Sequence, residues 1–152
     1  MDELIDAFIS LLTAGGIQAV GAMPGELAPH LTGSAVAVEV RRMDASPKTY
    51  LGLRQGQELY GRHIQGEMNL CVLAPASSGA GACRSAMDQV LALLADGIPG
   101  LSLLSLTAEA PVYRENNMEG NITLSFRCWL CETPAQGTDV PISQFILEGA
   151  LS

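Results

Sequence analysis

The feature that most constrains the fold is a period-two alternation of apolar and polar residues in three separate parts of the chain. Apolar residues occupy alternate positions in residues 36–40, 68–72 and 122–130, which is typical of strands with one buried face. Strands are therefore expected at residues 35–42 and 63–74, with another extended segment at 49–55 between them. The connections are too short for crossover helices, so the simplest expectation for these three strands is an antiparallel meander.

Two other segments follow a helical period instead. Residues 2–14 carry one apolar stripe, begin with the acidic pair Asp2 and Glu3, and are followed by two glycines, which together predict a helix ending near Ala14. A second helix is expected after the small, polar run at residues 76–81. Its end is marked by Gly97 and Pro99, and its apolar stripe consists of Cys83, Met87, Val90, Leu91 and Leu94.

The rest of the chain predicts another pair of strands, at residues 101–113 and 121–131, joined by a polar loop at 115–120. The order is then helix, three strands, helix, two strands and a C-terminal segment. Helices segregated from an antiparallel strand set indicate an α+β fold: an antiparallel or mixed β-sheet with two helices packed on one face. A length of 152 residues predicts a single domain over 1–152, with residues 133–152 as a candidate C-terminal arm.

Composition narrows the classes of function. The chain has 16 acidic against 8 basic residues, for a formal net charge of -8, which argues against a protein that grips nucleic acid by neutralising phosphates. With 48% apolar residues, it can build a core without disulfides or metals. The apolar stretch at residues 4–12 is interrupted by Asp6 and Ser10, so neither an export signal nor a membrane span is expected. We therefore expect a cytoplasmic protein whose four cysteines remain thiols.

No motif predicts catalysis, a cofactor or a metal. Cys128 and Cys131 have the spacing of a redox or metal pair, but the motif ends a strand whose alternation points the two sulfurs to opposite faces. His30 and His63 share no metal-ligand spacing and are interpreted as solvated surface residues. The Ser- and Gly-containing run before the second helix matches no phosphate-binding motif, so Ser78 is interpreted as a helix cap. An enzyme is not expected.

The expected surface residues say more about function than any catalytic or metal-binding motif does. Arg41, Arg127 and Trp129 stand on faces that are not expected to be core, which indicates either a contact with a partner or ordinary surface positions. The apolar run of Phe145, Ile146 and Leu147 poses a similar choice. It is either a last strand on its own sheet or an arm that adds to a neighbour's edge.

Several local strings resemble the tail-terminator and tail-completion (head-tail joining) proteins of long-tailed bacteriophages. The resemblance is closer still to small phage-like proteins of prophage tail clusters in Gram-positive bacteria. It covers most of residues 1–132 and marks no catalytic residue. The features that carry it are the opening helix at 2–14, the stretch 51–62 leading into the strand at 67–73, Ala74-Pro75, the helix entry at 79–83 and the hairpin around 116–121.

The resemblance implies a subunit that assembles with copies of itself into a ring, typically a hexamer, at the head-proximal end of the tail tube. Its partners would be the tail-tube protein and the head-tail connector. It would be made in the host cytoplasm and then become part of the virion tail. The negative charge suits a conduit through which DNA slides without sticking. The alternatives are another head-tail connector subunit or, in a different class, a small ligand-binding or thiol-dependent α+β enzyme with Cys128 and Cys131 as its site.

Overall fold

The computed structural model describes residues 2–21 and 32–132, together with the backbone of residues 145–148. It confirms the α+β class. The helices are α1 (Asp2–Ala14) and α2 (Gly79–Ala95), the latter preceded by a 3-10 turn at Ala76–Ser78. The strands are β1 (Ala19–Val20), β2 (Ala35–Ala45), β3 (Thr49–Arg54), β4 (Gln57–Pro75), β5 (Leu101–Ala108), β6 (Val112–Arg114), β7 (Asn117–Glu132) and β8 (Phe145–Glu148).

The two longest strands, β4 and β7, form the centre of a single sheet. They pair antiparallel from Tyr60 opposite Glu132 to Pro75 opposite Asn117. The order across the sheet is β1-β2-β4-β7-β5, with β3 also on β4 and both β6 and β8 on β7. All the pairings of these strands are antiparallel except that of β1 with β2, which is parallel, so the sheet is mixed.

The expected meander of the first three strands is wrong. Strand β2 pairs with residues 64–73 of β4, and β3 pairs with residues 57–61 of the same strand. Since β7 occupies the other side of β4, β2 and β3 lie one after the other along one edge. The break between them contains Pro47, which has no N–H to donate to a ladder.

Each long hairpin turns through two residues in the left-handed region of backbone space. Gln55 and Gly56 have φ angles of 53° and 78°, and Glu115 and Asn116 have φ angles of 48° and 69°. Two successive positive φ angles define the tight hairpin turn whose twist matches that of the flanking strands. Such a turn leaves almost no loop, which explains why β4 begins at Gln57 rather than at 63 and β7 at Asn117 rather than at 121. It also shows that the polar loop predicted at 115–120 is wrong.

Both helices pack on one face of the sheet, as predicted. Helix α1 buries Leu4, Phe8 and Leu12, and α2 buries Cys83, Ala86, Met87, Val90 and Leu94. The apolar positions of β2, β4 and β7 meet them in one continuous core. The bounds of α1 match the prediction, and the predicted apolar face of β7 is confirmed at Ile122, Leu124, Phe126 and Cys128, all of them buried.

Gly66 and Gly120 let the layers approach closely. A Cβ atom at Gly66 would lie 2.6 Å from the Arg42 carbonyl oxygen and 2.8 Å from the Phe126 ring, and one at Gly120 would overlap the Met87 sulfur. Separations below 3.0 Å are sterically forbidden for real side chains. These two positions therefore set how tightly β2 and α2 lie against the centre of the sheet.

Candidate interaction surfaces

The sheet face opposite the helices, called here the open face, carries most of the polar side chains of the central strands. Register places Glu67 beside Ser125 and Gln65 beside Arg127 on this face. On β2, Arg42 lies opposite Glu67 and Asp44 opposite Gln65. Alternation along each strand sends these side chains away from the helices.

One end of the open face is closed instead. Ala37, Cys71 and Leu73 form a small apolar cluster, separate from the main core, and all three are buried. Burial raises the pKa of the Cys71 thiol to about 12. The Cys71 thiol is therefore uncharged at physiological pH, although the charged side chains of Glu119, Arg114 and Glu39 lie near it.

A polar network lies next to that cluster. The buried Asn69 donates from its Nδ2 atom to Asn121 Oδ1 at 3.2 Å, and it accepts from the Thr123 hydroxyl at 3.4 Å. A buried amide with both ends hydrogen-bonded is satisfied. The network joins β4 to β7 through side chains, in addition to the main-chain ladder between them.

A shallow depression of about 220 Å³ follows further along the open face. Its lining consists of Arg42, Asp44, Gln65, Gly66, Glu67 and Ser125. Arg42 Nε and Asp44 Oδ2 are 2.9 Å apart, and both side chains are mostly exposed to solvent. An ion pair so exposed contributes little stability.

Two of the predicted contact residues lie together at the far end of the open face. Arg127 is exposed, and Trp129, two positions along β7, is half-buried on the same face. The Trp129 ring contacts His63 edge to face, with ring centroids 5.2 Å apart. His63 is therefore half-buried against an aromatic ring rather than a solvated surface histidine. His30 lies outside the described residues.

The other predicted contact residues are elsewhere. Arg41 is exposed at the bulge where the register of β2 against β4 shifts, so β4 separates it from Arg127 and Trp129. Phe145, Ile146 and Leu147 pair with Glu132, Cys131 and Leu130 of their own chain, which places β8 on its own sheet beside Trp129. The rest of the predicted arm, residues 133–144 and 149–152, lies outside the described residues.

The Cys128 and Cys131 pair has the geometry that the alternation predicts. Cys128 lies opposite Ile64 on the helix side, whereas Cys131 lies opposite Gly61 on the open face. Both residues are buried. Burial raises the pKa of the Cys128 thiol to about 11, so Cys128 stays protonated at neutral pH and is a poor nucleophile and metal ligand.

Ser78 does not cap α2 through its side chain. It stands at the N-cap position, but its backbone is in the right-handed helical region and its hydroxyl makes no capping hydrogen bond. A capping side chain needs an extended backbone at that residue to reach the first N–H groups. The preceding 3-10 turn removes that geometry, so the predicted cap is wrong.

No model of a known protein family matches the chain, and no curated protein matches its sequence. Within the part of the chain that the structure describes, no group of three or more His, Cys, Asp or Glu side chains is placed to hold a metal ion. Neither described helix is both long enough and apolar enough to cross a membrane.

Sequence reasoning missed the exposed apolar side chains at the edges of the sheet. Among the described residues, every large hydrophobic side chain that is exposed lies on β3, β5 or β6: Tyr50, Leu53, Leu104, Leu106, Val112 and Tyr113. A signal was available, because Leu103 and Leu104 are adjacent and break the alternation expected of a strand with one wet face. The structure explains the break as a bulge in the pairing of β5 with β7.

A groove of about 300 Å³ runs beside this edge, between α2 and the segment that links β5 to β6. Met87 and Leu91 of α2 form one wall, and Ala110 and Pro111 form the other. Arg84, Asp88 and Glu109 stand at its rim. The groove extends the apolar character of the β5 and β6 edge onto the helix layer.

Proposed function

We propose that this protein is a virion structural protein, a tail-terminator or tail-completion subunit that forms a ring at the head-proximal end of a phage or prophage tail tube. The single observation that carries the proposal is the arrangement of its surfaces. One sheet presents a polar open face and, within the described residues, two edges on which all the exposed large hydrophobic side chains are found. A chain with such a surface is suited to a function that depends on contacts with other protein subunits.

The assignment of role comes from the resemblance of the opening helix, the β3–β4 hairpin, the entry to α2 and the β6–β7 turn to tail-terminator proteins. On this proposal the partners are copies of the same chain, the tail-tube protein and the head-tail connector. The protein would assemble in the host cytoplasm and end in the virion tail.

The charge of the chain supports a role around DNA without binding it. A net charge of -8 per copy is multiplied in a ring, and acidic walls repel the phosphates of a passing duplex. The same charge opposes the counterion release that drives DNA binding. We therefore expect DNA to pass without specific contact.

The cysteine pair does not favour the alternative of a thiol-dependent enzyme. A thiolate nucleophile requires a lowered pKa and partial exposure. Cys128 is buried and its pKa is raised. Its position on the helix side of β7 also directs its sulfur away from Cys131.

The test is an assay of tube elongation with the tail-tube protein of the same phage. The protein is added to growing tubes, and the tubes are imaged by negative-stain electron microscopy. We expect density at one end of each tube and arrest of growth at that end. Continued growth at both ends with no bound protein would overturn the proposal. Binding to isolated connectors but not to tubes would instead assign the protein to the connector.

A further inference from the structure

Within the described residues, β5 pairs with β7 on one side and with no strand on the other. Natural sheet edges are usually protected by charges or proline, because an unprotected edge accepts another strand. The eight residues Leu101–Ala108 contain no charged residue and no proline. The only protective device on this strand is the bulge at Leu104.

The exposed side chains extend this edge along β6. Leu104 and Leu106 are 45% and 41% exposed on β5, and Tyr113 is 64% exposed on β6. We call β5 and β6 together the β5–β6 edge. An extended, apolar segment would match both these side chains and the main-chain groups of β5 that are unpaired within the described residues.

A second uncovered edge lies on the opposite side of the same sheet. Strand β3 pairs with β4 on the side away from β7 and, among the described residues, with no other strand. Tyr50 is 52% exposed and Leu53 is 69% exposed on this β3 edge. The chain therefore carries two apolar edges that face in opposite directions, and a second copy can cover one with the other.

The charges of the two edges are complementary. Residues 45–58, which contain β3 and the cross-strand neighbour of Leu53, include Lys48, Arg54 and Glu58 for a net charge of +1, although the chain as a whole is strongly acidic. Residues 101–116, which contain the β5–β6 edge, include Glu109, Arg114 and Glu115, for a net charge of -1. Two acidic copies repel each other over most of their surfaces, so this pairing of edges is electrostatically favoured.

Strand direction is also compatible. Strand β3 is antiparallel to β4, β4 to β7, and β7 to β5, so β3 and β5 run in opposite directions. A second copy in the same orientation therefore presents β3 antiparallel to β5.

The two strands are offset along the sheet, because β3 lies beside residues 57–61 of β4 while β5 lies at the level of residues 64–70 of β4. Copies joined in this way are staggered, and a closed ring then needs tilted strands, as in a barrel.

We propose that the β5–β6 edge of one copy docks on the β3 edge of a second copy. The contact uses two different surfaces, so it is heterologous and repeats from copy to copy until it closes. Closure into a ring rests on the proposed function, whereas the contact itself rests on the two edges.

The test is a mixing experiment with two variants, each damaged at one edge. Leu104→Lys places a positive charge on the β5–β6 edge, opposite the basic β3 edge. Leu53→Glu places a negative charge on the β3 edge, opposite the acidic β5–β6 edge. We expect each variant alone to be a monomer at about 100 µM by analytical ultracentrifugation, with the dissociation constant raised roughly 30-fold or more. The matched controls, Gln89→Lys and Gln89→Glu on the exposed side of α2, should associate like the wild type.

Mixing the two variants is the decisive step, because each retains the edge that the other has lost. The intact β5–β6 edge of Leu53→Glu should bind the intact β3 edge of Leu104→Lys, so the mixture should form a dimer or a larger complex although neither variant associates alone. Circular dichroism identifies any variant that fails to fold, and Tyr113→Lys and Tyr50→Glu then replace it. A mixture that stays monomeric, or a wild-type chain that is monomeric at the same concentration, overturns the inference.

The contact between edges and the proposed function can be tested separately. If the edges do not associate but wild-type protein still caps tubes, the inference is wrong and the function stands. If the mixed variants associate but wild-type protein ignores tubes, the function is wrong and the inference stands.

Discussion

At the scale of single residues, Gly66 decides how closely β2, β4 and β7 approach. A Cβ there would meet the Arg42 carbonyl oxygen and the Phe126 ring, and the carbonyl belongs to a strand that cannot move independently of the sheet. The position is crowded by backbone as well as by side chain. Its constraint is therefore stronger than that at Gly120, where the flexible Met87 side chain is the neighbour.

We expect Gly66→Ala to lower the free energy of unfolding by about 2 kcal/mol, the usual penalty for overpacking a tight site. The matched control is Gly81→Ala in the first turn of α2, where a Cβ meets nothing within 4 Å. Because alanine favours helix, that change should raise the free energy of unfolding by roughly 0.5–1 kcal/mol. Urea denaturation measures both. Equal effects at the two positions would show that steric crowding at Gly66 is not limiting.

The buried thiols predict a loss of stability at alkaline pH. Burial raises the pKa of Cys128 to about 11 and that of Cys71 to about 12, whereas in the unfolded chain both titrate near 9. Above pH 9 the unfolded state loses protons that the folded state keeps, so the folded state loses stability as the pH rises towards 11. Below pH 9 this contribution is fully present.

The measurement is urea denaturation at several values between pH 8 and pH 10.5, comparing the wild type with Cys128→Ala. The pKa of the Cys83 thiol is also raised by burial, so the variant removes one of several such titrations, and its stability should fall less steeply above pH 9 than that of the wild type. Identical slopes would contradict the assigned burial of the Cys128 thiol. A thiol reagent should also react with Cys71 and Cys128 only after unfolding.

At the scale of elements, the tight turn at Gln55 and Gly56 organises the first hairpin. Both residues have positive φ angles, and asparagine tolerates this region better than glutamine. We expect Gln55→Asn to raise the melting temperature slightly and Gly56→Ala to lower the stability by about 1 kcal/mol. The control is Gln57→Asn, one step into β4, which should be neutral or slightly destabilising. Stabilisation by both asparagine substitutions would argue against a turn confined to residues 55 and 56.

The sequence predicts the elements better than it predicts how they pair. Helix α1, the apolar stripe of α2 and the buried face of β7 follow from local periodicity, which packing reinforces. The pairing partner of β2 does not follow from local periodicity, because β2 and β3 can both pair with β4 only if β4 is long enough. That length depends in turn on the Gln55-Gly56 turn, where glutamine gives no signal of a positive φ angle.

The same limit applies to the surfaces. The polar side chains of the open face, including Arg127 and Trp129, are predictable from alternation alone. Whether an apolar strand lies at the edge or the centre of a sheet is a property of the whole topology. The local sequence around Tyr50, Leu53 and Leu104 therefore predicts extended segments but not that these three side chains are exposed.

At the scale of the whole molecule, the described residues divide into one core and the outer surfaces that we propose for contacts with partners. The helices and the apolar faces of β2, β4 and β7 complete one core. The open face and the two apolar edges remain for partners. On our proposal, a heterologous contact between edges would join copies of the chain and would leave the open face to the tube or the connector.

The most direct test of the proposed tail-terminator role is the number of copies bound per tail tube, measured against tube length. Fluorescently labelled protein is added to tubes of the tail-tube protein, and bound copies are counted by single-molecule photobleaching on tubes of known length. A ring at one end predicts a constant number, about six per tube, whatever the length. A number that rises in proportion to length, or no binding at all, would contradict the account.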